Sequence, residues 1–441
     1  MKLPVFLRIS LKYLWRYRRR YLFLFLALGF GFGVVTVISS LKDGMKENLY
    51  LSARSHYAGD IVALGYNPDL GIKHHLDRDQ IDAIFASAGA AGINTAGAAI
   101  RTTLTGMKEG TIYFNGNAVA LKYVVGVDWE REASYFKDLS YTESPDPPQA
   151  DSIFLSAPIA QELGARQGDG IILETLTVTG EKNTGPFVIA GVVEDTSFFS
   201  YYKVYVSRPA LNRLIGFAGE DCSLIGFYLR NKTAPSSSFV DAKRRALYQD
   251  LAERIHTGPL VYDRDAFDQE TDKAGGGGTV FLVTLPVYLS EVAELLEAID
   301  LASYVLYGMM LAIIMVSAGV TCRLILHERS RETGTMRTIG FYDADLRIIL
   351  QLELCMAALS SMAAGFILAL FINQILSYTS FKWFPGFEVF MQNGRITALY
   401  VPETIALNVA AVLAMLILAV WGPIFRNSRS SLPEMLSGGI L

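Results

Sequence analysis

Two sets of residues in this 441-residue chain are spaced for work other than filling a core. One is the charged stretch His327-Glu328-Arg329-Ser330-Arg331-Glu332-Thr333-Gly334-Thr335-Met336-Arg337-Thr338-Ile339-Gly340, set between two long apolar runs. Acid and base alternate within a helical turn, and Met336 and Ile339 fall on one side of a helix. A short helix of this kind can dock into a groove on a soluble partner. Glu328, Arg329, Arg331 and Glu332 would then be rim charges that set orientation rather than affinity. The other set lies inside the apolar runs. Glu353 is a lone carboxylate there, and an ionisable group at membrane depth is a candidate for an anchor, a proton site or a cargo contact. Gly29 and Gly33 form G-x-x-x-G with Gly31 between them, which lets another helix approach closely; span two of this chain or of a partner is the expected neighbour.

Catalytic patterns are not found. No G-x-x-x-x-G-K-[ST] occurs, so no nucleotide is expected on a P-loop, and the run Gly275–Gly278 lacks the lysine such a cradle needs. Lys73–Asp79 gathers His74, His75, Asp77 and Asp79, but adjacent histidines rarely face one ion, and a solvated loop is the expectation. No Ser/His/Asp order or carboxylate pair stands out. The chain is expected to be a non-enzyme that itself holds no catalytic, cofactor or metal site.

The elements that must position these residues follow from composition. The chain is 51% hydrophobic and 19% charged, too apolar for a soluble domain and too charged for membrane alone. Four runs reach the ~20 residues that cross a bilayer core: 21–41, 301–322, 348–376 and 404–425. The first is too long for a signal peptide and has no small-residue cleavage site before Lys42, so it is expected to stay as a span. Lys2, Arg8, Lys12, Arg16, Arg18, Arg19 and Arg20 precede it without an acid, and Arg323, Arg329, Arg331, Arg337 and Arg347 follow the second span. The loop 377–403 carries only Lys382 and Arg395. By the positive-inside rule both termini are cytoplasmic, in an inner membrane. The expected fold class is an α+β membrane protein: four transmembrane helices with a large extracytoplasmic α+β domain between helices 1 and 2.

The expected order is then a cytoplasmic basic amphipathic segment 1–20, span 21–41, the outside domain 42–300 and span 301–322. The coupling segment 323–347, span 348–376, outer loop 377–403, span 404–425 and cytoplasmic tail 426–441 complete it. Phe6–Tyr17 is expected as an interfacial helix with its basic groups toward anionic headgroups. Basic residues gather at span ends, so nucleic acid is not an expected partner.

Within 42–300, alternating patterns predict strands at Gly59–Leu64, Ala99–Leu104, Thr111–Phe114, Tyr123–Val127, Gly170–Thr175, Phe187–Val193, Lys203–Val206 and Phe227–Arg230. Helices are predicted at Ala157–Leu163, Pro209–Ile215 and Phe239–Ile255. Pro145–Pro148 marks a break between two subdomains. Gly275–Gly278 is expected as a slack linker before the stalk, and Thr279–Leu289, too short to span, either packs on the domain or grazes the bilayer. Glu291–Asp300 is expected to continue as helix into span two. Cys222, Cys322 and Cys355 make no disulfide framework, and Cys222 is expected as an inert thiol.

The charged stretch, written Glu328-Arg329-x-Arg331-Glu332-Thr333-Gly334-x-x-Arg337-Thr338-Ile339-Gly340, resembles the E-[KR]-x-[RK]-E-[IT]-G-x-x-[KR]-[AT]-[LI]-G signature of mechanotransmission ABC permeases, the superfamily of LolC/LolE, MacB and FtsX. Glu353 in QLELCMAALSSMAAG matches the glutamate that opens their third span, and Leu432-Pro433-Glu434-Met435-Leu436 is similar to their C-terminal ending. Phe154-Leu155-Ser156 through Leu163-Gly164-Ala165-Arg166-Gln167-Gly168-Asp169, and Phe187–Val193, resemble segments of Lol-type permeases. Glu194–Ser200 departs from the family's aspartate-bearing turn, and the glycine run is not typical of it. MacB-type chains carry an N-terminal ATPase and FtsX-type chains a smaller outside domain, so the Lol-type fits best. The resemblance implies a permease subunit that couples a separate ABC ATPase, in two copies and carrying the ATP and Mg, to extraction of lipoproteins from the inner membrane. A second permease, identical or homologous, and a periplasmic carrier are the further partners implied. It also leaves open transmission in an efflux pump or peptide exporter, and an FtsX-like signalling role toward a cell-wall hydrolase.

Overall fold

The computed structural model describes residues 10–12, 14–16, 18–105, 110–194, 202–229, 236–288, 290–328, 330–380, 391 and 395–428. The interfacial helix expected at Phe6–Tyr17 falls largely outside these, with 10–12 and 14–16 helical. The C-terminal Leu432–Leu436 motif and Glu194–Ser200 beyond Glu194 also lie outside them.

In chain order the first half of the elements runs α1 Arg18–His56, β1 Ile61–Tyr66, α2 Arg78–Ala90, β2 Ala99–Thr105, β3 Gly110–Phe114, β4 Asn117–Ala120, β5 Tyr123–Val127, α3 Ala133–Asp138, β6 Ser152–Ser156, α4 Ala157–Leu163, β7 Gly170–Leu176 and β8 Lys182–Val193. Next come β9 Lys203–Ser207, α5 Arg208–Ile215, β10 Leu224–Phe227, α6 Ser237–Arg254, α7 Arg264–Lys273, β11 Thr279–Thr284 and α8 Leu285–Tyr288. The last four are α9 Ser290–Glu328, α10 Ser330–Thr338, α11 Asp343–Tyr378 and α12 Pro402–Ser428. The fold is mixed helix and sheet. Among the described residues four helices are long and apolar enough to cross a membrane, and the sheet-rich domain lies between the first and second of them in sequence.

Two compact units emerge, one of residues 1–45, 295–380 and 396–441, the other of 46–294 and 381–395. The second is built on one eleven-stranded sheet in the order β11-β1-β10-β2-β5-β9-β6-β8-β7-β3-β4. β5–β9 and β6–β8 are parallel; the other neighbours are antiparallel. Both faces of its β1 end are covered. Ile61 and Ala63 pack with Ile84 of α2 and Leu247 of α6, whereas Val62 and Leu64 pack on the opposite side with Phe267 of α7.

That double cover resolves the apolar segment 279–289. Its first six residues are β11, all buried, paired from Ile61↔Thr284 to Tyr66↔Thr279. A strand buried on both faces has no polar alternation, so its sequence is a plain apolar run. Gly275–Gly278 therefore does not link the domain to the stalk, as expected; it turns the chain from α7 into β11 within the folded domain, with φ +103° at Gly277 and +79° at Gly278. The expected break at Pro145–Pro148 also fails to divide the sheet, since β6 just after it pairs with both β8 and β9. The cores separate elsewhere: one draws mainly on residues before β3 and after Cys222, the other on the excursion between them, with Ile159 and Leu163 of α4 and Leu211 and Ile215 of α5.

The other unit packs its helices around Leu24, Leu28 and Phe32 of α1, Ile314 and Ala318 of α9, Leu354 and Ala358 of α11, and Val412 and Leu416 of α12. Both α1 and α9 outrun the spans expected from hydropathy. α1 continues past Leu41 to His56, and α9 starts at Ser290, as the predicted stalk would.

Candidate functional site

The charged stretch begins at the end of α9 and continues in the short helix α10. Glu328 ends α9, exposed; Arg329 lies outside the described residues; and α10 carries Arg331, Glu332, Gly334, Met336 and Arg337. Thr333 and Gly334 are buried, and Glu332, Met336 and Arg337 are half-buried. The helix stops in a Schellman arrangement. Gly340 adopts φ +104°, its N–H donates to the Arg337 carbonyl at 3.1 Å, and the Phe341 N–H donates to the Met336 carbonyl at 3.2 Å. A side chain at 340 would meet the steric cost of the left-handed region, which explains a glycine there. The cap turns the chain so that Ile339 and Tyr342 stand out, 75% and 79% exposed. The apolar pair presented by this segment is thus Ile339 with Tyr342, not Met336 with Ile339, because Met336 is turned partly inward.

The residues expected to pack the spans are brought together, with a changed partner. A Cβ on Gly29 would lie 3.1 Å from the Ser361 carbonyl oxygen, and one on Gly33 3.0 Å from that of Gly365. Those are span-three residues on α11, where span two was expected. Only Gly31 turns to span two, its Cβ position being 2.9 Å from Ile314 of α9. A small-residue face on α1 thus meets Ser361 and Gly365, a second small pair four residues apart. Ser361 Oγ donates to the Phe25 carbonyl across the same contact.

Glu353 is fully buried and accepts a hydrogen bond from Tyr21 Oη at 2.7 Å, joining α11 to the start of the first span. Tyr21 is a donor that a count of basic residues did not name. At the far end of the same bundle Asn373 donates to Ser40 Oγ and Tyr400 Oη, both at 2.8 Å, and Asn408 donates to Ser39 Oγ at 3.1 Å. A polar side chain satisfied across a helix pair fixes its register in an apolar surround.

In the sheet domain, the Lys73–Asp79 cluster has structural roles. Asp77 caps α2, accepting from the Gln80 N–H at 2.8 Å while Gln80 Oε1 accepts from the Asp77 N–H. His75 Nε2 is 2.8 Å from Asp221, and His74 Nδ1 is 3.3 Å from the Gly65 carbonyl. Burial, and then the charge of Arg264, hold His74 below its usual pKa. Among the described residues no three potential ligands gather as a metal site would need. Cys222 is buried and its thiol is pushed up to about 12 by burial, so it is a poor nucleophile.

Sequence reasoning missed a set of buried charges where α1 ends. Arg54 and Asp60 pair at 2.8 Å, and Asp60 also accepts from Tyr50 Oη and the Leu229 N–H. Arg101 of β2, 1% exposed, holds Glu132 through Nε at 3.0 and 3.1 Å and donates through Nη1 to the Ser55 and His56 carbonyls, each at 3.0 Å. Those carbonyls belong to the last turn of α1, which has no helical donors of its own to satisfy them. Lys203 Nζ lies 3.1 Å from His56 Nδ1. A sequence signal exists only in part: Arg101 is a charge inside a strand pattern, and nothing local tells what it faces.

No curated protein matches the chain. The stretch from within α9 through α10, α11 and α12 does have a counterpart: residues 304–432 are similar to the FtsX-like permease C-terminal domain, whose model they match.

Proposed function

We propose that this chain is the permease subunit of an ATP-driven complex in the inner membrane, and that the segment Glu328–Gly340 receives the stroke of a separate ABC ATPase. The family match supports an ABC-type permease subunit; FtsX-like permeases are generally non-catalytic transmembrane subunits that partner with an ABC ATPase. The observation that carries the reading is the exposed pair Ile339 and Tyr342 beside the charged helix α10. Two large apolar side chains held out by a tight glycine cap fit a groove on a soluble partner, with Glu328, Glu332 and Arg337 at the rim. The distribution of basic residues supports a cytoplasmic placement of this segment and both termini.

For the cargo, the proposal follows the Lol-type resemblance: a lipoprotein drawn from the bilayer and handed to a periplasmic carrier. Removing acyl chains costs about 0.8 kcal/mol per CH₂, so one chain of roughly fifteen carbons costs on the order of 10 kcal/mol, and several need an ATP-driven machine. A pair of permeases, identical or homologous, and two ATPase copies carrying ATP and Mg complete the complex.

The test is the double variant Ile339→Asp/Tyr342→Asp. Both side chains are exposed, so the fold loses little. We expect the chain to insert normally but no longer to copurify with its ABC ATPase partner; undiminished copurification refutes the docking assignment. Glu332→Lys should keep the complex assembled and abolish cargo-stimulated ATP hydrolysis. If the intact complex carries a cell-wall hydrolase or a channel adaptor and never a lipoprotein, the cargo reading fails while the permease reading stands.

A further inference from the structure

The sheet domain encloses a cavity of about 210 Å³ at the place where α1 ends and the chain runs into α9. Thr103 of β2 and Val125 of β5 line it. Tyr57, one residue past α1, stacks on Tyr288, two residues before α9, with ring centres 4.3 Å apart and planes 10° from parallel. Tyr123 and Phe267 add aromatic surface to the lining. An apolar cavity of ~150 Å³ takes a benzene ring, so this one has room for a single ring with a small head group.

Among the described residues lining the cavity Arg264 is the one charged side chain; His56 and His74 line it as well, and no carboxylate does. Asp268 engages Arg264 through Nε at 3.1 Å, an exposed pair one helical turn apart; among the described residues none accepts a hydrogen bond from its terminal nitrogens. The Lys203 ammonium can only donate to His56 Nδ1, which puts the His56 ring proton on Nε2 as a donor. Burial pushes the Tyr288 phenol up, so it remains protonated and adds no negative charge.

We propose that this cavity binds a small organic anion with a flat apolar body, of the size and charge of a substituted benzoate. Its carboxylate meets the Arg264 guanidinium, and its ring lies against Tyr57, Tyr123 and Phe267. The occupant would sit against the Tyr57–Tyr288 stack, one residue past α1 and two residues before α9 in the chain, at a site separate from the α10 segment. The inference rests on the cavity alone and stands or falls independently of the permease reading.

The probe is 4-methylbenzoate, titrated against the full chain in lipid nanodiscs by saturation-transfer NMR, with empty nanodiscs subtracted and 4-methylbenzamide as the neutral comparison. Saturable binding of one anion per chain is expected, at least tenfold tighter than the amide. Arg264→Gln, at a surface position that the fold does not need, should remove that preference. Thr103→Trp should fill the cavity and abolish binding of both compounds; should it not fold, Arg264→Gln carries the test. Equal affinity for acid and amide, binding unchanged by Arg264→Gln, or no saturable binding at all would each overturn the proposal.

Discussion

The sharpest test of the sheet domain is Arg101→Met. Arg101 is 1% and Glu132 5% exposed, so the methionine fills much of the space but strands a carboxylate in an interior without its cation. Removing one partner of a buried pair costs about 3–5 kcal/mol, because the other charge stays desolvated. The Ser55 and His56 carbonyls lose a charged donor as well, worth roughly 1.5–3 kcal/mol per hydrogen bond and only partly additive. A total of about 5 kcal/mol follows, and at ~2–4 °C per kcal/mol for a domain of this size the midpoint should fall by roughly 10–20 °C. The second arm, Arg101→Met/Glu132→Leu, removes both charges. Replacing a buried ion pair by apolar groups is close to neutral, so this variant should recover more than half of the loss. What it fails to recover measures the hold on the end of α1. The assay is thermal and urea unfolding followed by Trp129, with the other three of the four tryptophans replaced by phenylalanine. A single-variant cost below about 1 kcal/mol, or a double variant as unstable as the single, would refute the argument.

Three further outcomes are expected. Gly365→Ala drives a methyl into the Gly29 carbonyl and should destabilise the helix bundle by about 1–3 kcal/mol in detergent unfolding, while Gly308→Ala, with nothing within 4 Å, should be silent; equal effects would dissolve the α1–α11 packing assignment. Gly277→Ala, at φ +103°, should lower the urea midpoint by the equivalent of about 1 kcal/mol and Gly275→Ala should not, whereas a slack linker would tolerate both. His74 is held below its usual pKa, so on acidification the unfolded chain takes up its proton first, near pH 6.5, and the native state only at the lower value. Stability from this site is present above about pH 6.5 and is lost as pH falls below it; His74→Gln should flatten the slope between pH 7.5 and 5.5, and an unchanged slope would exclude His74 as its source.

The reach of sequence reasoning followed the physics of each element. Runs of membrane length with at most one charge announced four helices, and strands such as Tyr123–Val127 and Ala99–Thr105 appeared nearly to the residue. β11 did not, because burial on both faces erased its alternation and left a run that equally suits a membrane surface. α2 was overlooked although Asp77 and Gln80 spell a capping box three residues apart, a signal that a search for metal ligands among the same residues obscured. In the charged segment, composition and spacing located the helix, but which apolar pair it shows depended on a left-handed glycine. Gly340 rotates Ile339 and Tyr342 outward, and no periodicity count includes that turn.

The buried charges are the least legible feature and the most informative about mechanics. A sequence reader places Arg54, Asp60, Arg101, Glu132 and Lys203 on the surface, since ionic side chains are almost never fully buried unless paired. Pairing is a property of the fold: Arg101 and Glu132 are 31 residues apart, and Lys203 meets His56 across 147. An ion pair inside a domain adds little net stability compared with an apolar core, so its value has to be sought in what it fixes. Here Arg101 and Lys203 reach the last turn of α1, the former through the backbone carbonyls of Ser55 and His56, the latter through the His56 ring. Apolar contacts alone would let a helix end slide or rotate at modest cost. Directional hydrogen bonds from strand residues to carbonyls at the helix end allow neither, and so hold the last turn of α1 in one register on the sheet.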